Sequence, residues 1–302
     1  MFGKRPDGVR VKGIDPIVQF TPFIMPRRYD AMVQAKQELD FDGMTRYIKE
    51  KRKEGFEISY MELVIAAYVR MIGEIPEMNR FIVNRRMYAR NHFCVSFAAL
   101  KSMSGEKLEE SICKVQFNLD DTIFDVSRRI NAAIEEARLP QPSNKTDTLA
   151  NFLLKMPGLP KFVVLLARFL DNHGLMPRII HDASPFHTSI WFSNMASIGM
   201  NYVYHHIYDF GTTSIFATLG RPEQKLVRNS DGTCRAKRVM PVGVVIDERI
   251  AEGAVFGRMF STVVHYLSEP ELLEKRPEHI RTETDMIPAP EIKQISPAKK
   301  SP

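Results

Sequence analysis

The sequence predicts an α/β domain, one mixed sheet flanked by helices. Three observations predict it. Residues 63–72 are apolar almost all round, which suits a helix buried on every side. Ile123, Val126, Ile130 and Ile134 recur at spacings of three and four, the stripe of a helix lying on a sheet. Five short segments rich in β-branched and aromatic residues, 92–100, 112–118, 188–192, 213–219 and 239–246, read as strands of that sheet. Helices and strands do not alternate strictly, so repeated βαβ winding is not expected.

The first of these helices opens at Ser59-Tyr60-Met61-Glu62, an S-x-x-E capping box, and ends before Pro76. Thr122-Ile123-Phe124-Asp125 opens the second. Residues 147–172 read as one or two added helices, with His173-Gly174 as the stop. A last helix spans about 254–268, with Val255, Met259, Val263 and Tyr266 on one face and Pro270 at its end. The expected organisation is an N-terminal arm over 1–20, one domain over 21–280, and a flexible tail over 281–302. That tail is rich in Pro, Lys, Ser and Thr and has too little apolar surface to pay for ordering.

Composition narrows the function. The 302 residues hold 42 Lys and Arg against 36 Asp and Glu, a net +6, with 44% hydrophobic and 26% charged residues. That is enough apolar material for a core and excludes fibrous and wholly disordered chains. Basic and acidic residues are interleaved, so no stripe for nucleic acid is expected. The best basic cluster, Arg80, Arg85, Arg86 and Arg90, is broken by Phe81, Ile82, Met87 and Tyr88. It reads as a solvated strand face, with phosphate contact as the alternative. Cys94, Cys113 and Cys234 are far apart and include no CxxC, which argues for a reducing, cytoplasmic setting. Residues 1–12 lack the apolar core of a signal peptide. The longest apolar stretch, 162–170, is interrupted by Arg168 and falls short of the roughly 18–20 residues that span a bilayer. Neither a GxxxxGK[ST] loop nor a GxGxxG is present.

The chemistry is sought near the C-terminus. There Val244-Val245-Ile246 runs into Asp247-Glu248-Arg249-Ile250-Ala251-Glu252-Gly253, and the following helix closes in Pro270-Glu271-Leu272-Leu273. A strand end of this kind holds side chains rigidly at the rim of a sheet. The segment resembles the end of the 2-oxoacid dehydrogenase acyltransferase catalytic domain, with its D-H-R-x-x-D-G and closing P-E-L-L, and that of chloramphenicol acetyltransferases, with H-H-x-x-x-D-G. Two earlier phrases fall in the family's order. Pro76-Glu77-Met78-Asn79 is similar to "P-E-L-N", and Trp191-Phe192-Ser193-Asn194-Met195 with Ile198-Gly199 is similar to "I-S-N-L-G-x-x-G". The resemblance covers about residues 20–275.

It implies a chloramphenicol acetyltransferase-like mixed sheet, a homotrimer with sites at subunit interfaces, and acyl transfer from a coenzyme A thioester to a small-molecule acceptor. In the family, the His of D-H-R takes the acceptor's proton and a hydroxyl stabilises the oxyanion. Ser193 stands at that hydroxyl, and Asn194, beside it, is assigned to the coenzyme A thioester. The His position is here Glu248, whose ordinary pKa of about 4.3 is poorly matched to a thiol of about 8.5 unless burial raises it. His205 and His206, set among Tyr202, Tyr204, Tyr208 and Phe210, are replacement candidates for the base. Glu252 holds the family's Asp position and is expected to pair with Arg28. His181 and His187 are further candidates whose spacing fits no recurrent metal site. Glu248 and Glu252, four apart, formally permit a metal or glycosidase reading without a third ligand, so no metal is expected. Lipoyl domain, nucleic acid and membrane are not expected. The alternative is a catalytically inactive trimer that binds or scaffolds.

Overall fold

A computed structural model describes residues 4–102, 109–138, 155, 157–228 and 231–292. The main sheet is built from β2 (Met32–Asp40), β5 (Phe93–Ser102), β6 (Glu109–Phe117), β7 (Ile190–Asn194), β8 (Ile215–Leu219) and β10 (Cys234–Asp247), in the order β2-β10-β8-β7-β5-β6. The seventh strand, β9 (Glu223–Arg228), pairs with the first half of β10. Only β7 runs parallel to its neighbours, β5 and β8, and the remaining pairs are antiparallel, so the sheet is mixed. A small second sheet, order β1-β4-β3, joins β1 (Gly8–Arg10), β3 (Arg80–Val83) and β4 (Arg86–Arg90).

Helices cover one face of the main sheet. The central one, α3 (Tyr60–Glu74), has the full capping box: the Ser59 hydroxyl accepts from the Glu62 N–H and the Glu62 carboxylate accepts from the Ser59 N–H. It is flanked by α2 (Phe41–Lys53), α4 (Ile123–Arg138) and the C-terminal helix α7 (Gly253–Ser268). Alternation along the strands divides their residues. Ile190 and Phe192, Ile215, Ala217 and Leu219, and Val242, Val244 and Ile246 enter the core beneath the helices. Trp191, Phe216 and Val245 lie on the opposite face with Ile207. That second face is the one that matters for the site.

The sequence missed β2 and α2. β2 is an edge strand of alternating polar residues, Gln34, Lys36 and Glu38, and α2 is strongly charged and buries only Met44, Tyr47 and Ile48. Two expectations are corrected. The arginines of the β3–β4 hairpin do not share one solvated face: Arg85 is exposed and Arg86 half-buried, but Arg80 is buried against the Glu283 carboxylate, and Arg90 is buried, donating to the Thr212 carbonyl at 2.7 Å and lying over the Phe81 ring. The segment read as a tail from 281 is strapped to the domain as far as Pro290. Arg281 N–H donates to the Gly73 carbonyl at 2.8 Å, Ile287 N–H to the Asn91 carbonyl at 2.6 Å, and Ala289 N–H to Asn118 Oδ1 at 2.7 Å. Of the added helices expected over 147–172, residues 147–154 and 156 lie outside the described residues. Within the remainder, α5 (Leu159–His173) ends at Gly174 in the left-handed conformation, and α6 (Arg178–Ala183) follows. Among the described residues no helix is long and apolar enough to cross a membrane.

Candidate active cleft

The corner after β10 is held by charge. Asp247 is wholly buried and accepts from Arg249 through both oxygens, at 2.7 and 2.6 Å, while its Oδ1 also takes the Arg249 backbone N–H. Arg249 reaches on to the Met25 carbonyl at 3.0 Å, which ties the corner to the end of α1 (Pro16–Ile24). Arg28, also buried, sets its Nε 3.6 Å from Asp247 and donates to the carbonyls of Tyr208 and Gly211. Two guanidiniums on one carboxylate fix the turn that presents Glu248.

The expected pairing of Arg28 with Glu252 is therefore corrected: the partner is Asp247. Arg28 lies in the interior beside the strand end, whereas Glu252 is exposed at the N-terminus of α7. Glu248 is half-buried in the single turn between β10 and α7.

An extended segment, 201–211, crosses the second face of the sheet. At one end the Val203 N–H donates to Thr218 Oγ1 and the Thr218 hydroxyl donates to the Val203 carbonyl at 2.6 Å. Contact is so close that a Cβ on Gly243 would stand 2.6 Å from the Val203 carbonyl oxygen. At the other end Gly211, with φ +88°, turns the chain against the Phe186 backbone. Between them His205 stacks on Phe216, ring centroids 4.1 Å apart, and its Nδ1 lies 2.8 Å from the His206 carbonyl. A carbonyl only accepts, so Nδ1 carries the proton and Nε2 keeps its lone pair. Burial pushes His205 below the ordinary histidine value, keeping it neutral. His206 is exposed and stacks on His205 at 4.7 Å.

Ser193, next to last in β7, lies on this same face, half-buried, its hydroxyl directed only at the weakly accepting Met195 sulfur at 3.3 Å. Asn194 follows, opposite Leu219. Register places these groups. Ser193 is opposite Thr218, and Phe216, under His205, is two residues back along β8. That is about 7 Å along the strand and about 5 Å across. Thr218 in turn faces Gly243. Asp247 is therefore two strand spacings, about 10 Å, and four residues, about 13 Å, from Ser193. One chain brings His205 and Ser193 to one face and leaves Glu248 at the far end of the strands.

At that far end opens a polar cleft of about 690 Å³ whose lining includes Arg27, Arg28, Arg85, Arg168 and Arg249, with Asp171 and Asp209 as its acids. Arg85 is exposed at the β3–β4 turn, where Asn84 and Arg85 both take positive φ. Arg168 and Asp209 pair at 3.0 Å. Sequence reasoning missed this cleft because its five arginines come from four separate stretches.

It also missed a buried cluster below the cleft. Asp171, at the end of α5, meets His181 of α6 and His187, with ligand-type atoms within 4.8 Å of one another. The spacing of the two histidines fits no recurrent metal site; the third member, ten residues before His181, lies on another helix, and no sequence spacing shows that meeting.

Residues 187–274 match the family described as 2-oxoacid dehydrogenases acyltransferase (catalytic domain). The fold is similar to that of a probable dihydrolipoamide acetyltransferase from Listeria monocytogenes 4b F2365, with 14% identity, 91% of this chain and 99% of that chain covered, and a TM-score of 0.54. It is similar too to a truncated catalytic core of the 2-oxoacid dehydrogenase multienzyme complex from Thermoplasma acidophilum, at 11% identity, 87% and 99% coverage and a TM-score of 0.52. The dihydrolipoamide acetyltransferase of Azotobacter vinelandii aligns at 11% identity over 87% of this chain and 94% of that one, TM-score 0.54. No curated protein sequence matches the chain.

Proposed function

We propose that this chain, which has the fold of the 2-oxoacid dehydrogenase acyltransferase cores and matches their catalytic-domain family over 187–274, transfers an acyl group from a coenzyme A thioester to a small thiol, hydroxyl or amine acceptor. The observation that carries the reading is that a neutral His205, its Nε2 free to accept, and the uncommitted Ser193 hydroxyl share one face of the sheet. His205 Nε2 takes the acceptor's proton, the acceptor attacks the thioester carbonyl, and the Ser193 hydroxyl donates to the oxyanion. Collapse expels the coenzyme A thiolate, which recovers the proton from His205. Asn194, opposite the core-facing Leu219, follows Ser193 on the other face of the sheet, so the expected contact of its side chain with the thioester is not part of this step. The exposed Arg27 and Arg85 at the cleft suit the polyphosphate end of coenzyme A, since guanidinium forks bind phosphate well.

Glu248 is far from Ser193 within one chain, and we place the site between protomers of a homotrimer, where Glu248 of one copy would approach Ser193 of another. Apolar side chains exposed along α1 (Ile17, Phe20, Phe23) and α5 (Phe162, Leu165, Phe169) supply surface for such an assembly. A carboxylate at the family's imidazole position favours a second reading, a non-catalytic trimer that binds or scaffolds.

Thiol release from a panel of acyl-coenzyme A thioesters, with dihydrolipoamide and simple amines as acceptors, separates the two. Acceptor-dependent release that drops in Ser193→Ala and His205→Ala supports transfer at this site. Absence of release with every donor favours the scaffold, and release unaffected by either change overturns the site. Light scattering on the same sample is expected to give three chains per particle.

A further inference from the structure

We propose that Asp171, His181 and His187 form a site for a divalent transition metal of the zinc type, which fastens the end of α5 to α6 and the body of the domain. All three residues are buried: Asp171 is 5% exposed, His181 3% and His187 1%. His187 Nε2 lies 3.4 Å from Asp171 Oδ2, and His181 Nε2 lies 3.6 Å from Asp171 Oδ1. Bonds of about 2.0–2.1 Å in a tetrahedral shell put neighbouring ligand atoms about 3.3 Å apart. The observed separations are near that edge length and long for direct hydrogen bonds.

Three ring nitrogens, His181 Nδ1, His181 Nε2 and His187 Nε2, are buried without a hydrogen-bond partner. Leaving such groups bare is costly, and a cation shared with the carboxylate satisfies two of them at once. His187 is already oriented for this. Its Nδ1 lies 2.8 Å from the Ser184 hydroxyl, an outer-shell partner of the kind that leaves Nε2 as the ligand atom.

Charge permits the ion. Arg5 donates to Asp7 through two nitrogens at 2.8 Å and to Asp171 Oδ1 at 2.8 Å, so the guanidinium in direct contact is set against two carboxylates, with Arg90 and Arg28 acting on them from further off. Asp171 Oδ2, the oxygen nearer His187, is the one Arg5 does not take. A crevice of about 10 Å³, lined by His181, His187, Asp7 and His92 among others, leads to the cluster and has room for about one small ligand. The ion would join α5 to the domain at a point where α5 buries little else, since Asp171 is its buried residue.

The test uses the full chain carrying Cys234→Ser, which removes the exposed thiol, dialysed against chelator and titrated calorimetrically with Zn²⁺ alone. One Zn²⁺ per chain is expected, and Co²⁺ is expected to give the intense visible absorption of a tetrahedral site without thiolate charge transfer. Ser184→Ala should weaken Zn²⁺ binding by roughly 10–100-fold, the usual effect of losing an outer-shell partner, and His187→Ala by more. Should the histidine variants not fold, X-ray absorption at the zinc edge of the Cys234→Ser protein decides, by showing two imidazoles and no sulfur. Absence of stoichiometric binding, sulfur in the shell, or unchanged affinity in a folded His187→Ala would overturn the site.

Discussion

Asp247→Asn removes the one negative charge between two buried guanidiniums while keeping the shape of the side chain. Wild-type Asp247 is fully buried and takes two hydrogen bonds from Arg249 at 2.7 and 2.6 Å, with Arg28 Nε at 3.6 Å. Asparagine still offers one oxygen to Arg249, but Arg28 and Arg249, 5% and 3% exposed, lose the carboxylate with which both form an ion pair. Breaking a buried pair in this way costs about 3–5 kcal/mol. With a urea slope near about 3 kcal/mol/M for a chain of this size, the midpoint should fall by about 1–2 M. Asp42→Asn is the internal control. Asp42 pairs with Arg238 at 2.6 Å on the solvent-exposed surface, and its loss should leave the urea midpoint nearly unchanged. Equilibrium urea unfolding followed by circular dichroism reads both. Equal shifts for the two variants would refute the claim that the corner is held by buried charge.

Other outcomes are equally specific. Ser193→Ala should lower kcat for acyl transfer by about 10²–10³-fold, the usual loss of an oxyanion donor, with the urea midpoint unchanged. Burial lowers the His205 pKa by disfavouring the charged ring, so the base stays neutral below the ordinary value of about 6.5. The acid limb of the kcat/KM profile should therefore fall below pH 6.5, and a limb above that value would contradict the assignment. Ser59→Ala breaks the capping box of α3 and should cost about 1 kcal/mol in thermal or urea unfolding. Truncation after residue 280 removes the Glu283 partner of buried Arg80 and the backbone bonds of Arg281, Ile287 and Ala289. It should lower stability by more than about 1.5 kcal/mol, the contribution of one charged hydrogen bond.

The parts of the fold legible in the sequence are those whose burial leaves a period. The all-round apolar run of α3, the Ile123-Val126-Ile130 stripe of α4 and the central strands were readable because they fill the core. β2 and α2 were not, since an edge strand and a charged surface helix carry few apolar residues to count. The strap from 281 to 290 looked like a tail because backbone N–H groups and one Glu–Arg pair hold it, and composition does not record backbone bonds. At the site, Ser193 and His205 were named from order along the chain, and the structure sets both on one sheet face. The acid that Arg28 meets is Asp247 and not the expected Glu252, because adjacency in a motif does not show which side chain turns inward. The Asp171-His181-His187 meeting depends on how α5, α6 and the loop to β7 return to one point, which is a tertiary property.

The most direct measurement is the mass of the acceptor after incubation with an acyl-coenzyme A and purified protein, wild type beside His205→Ala. The account predicts acceptor heavier by one acyl group, formed in step with free coenzyme A and suppressed in the variant. An acceptor of unaltered mass with every donor, or equal yield from both proteins, would contradict it.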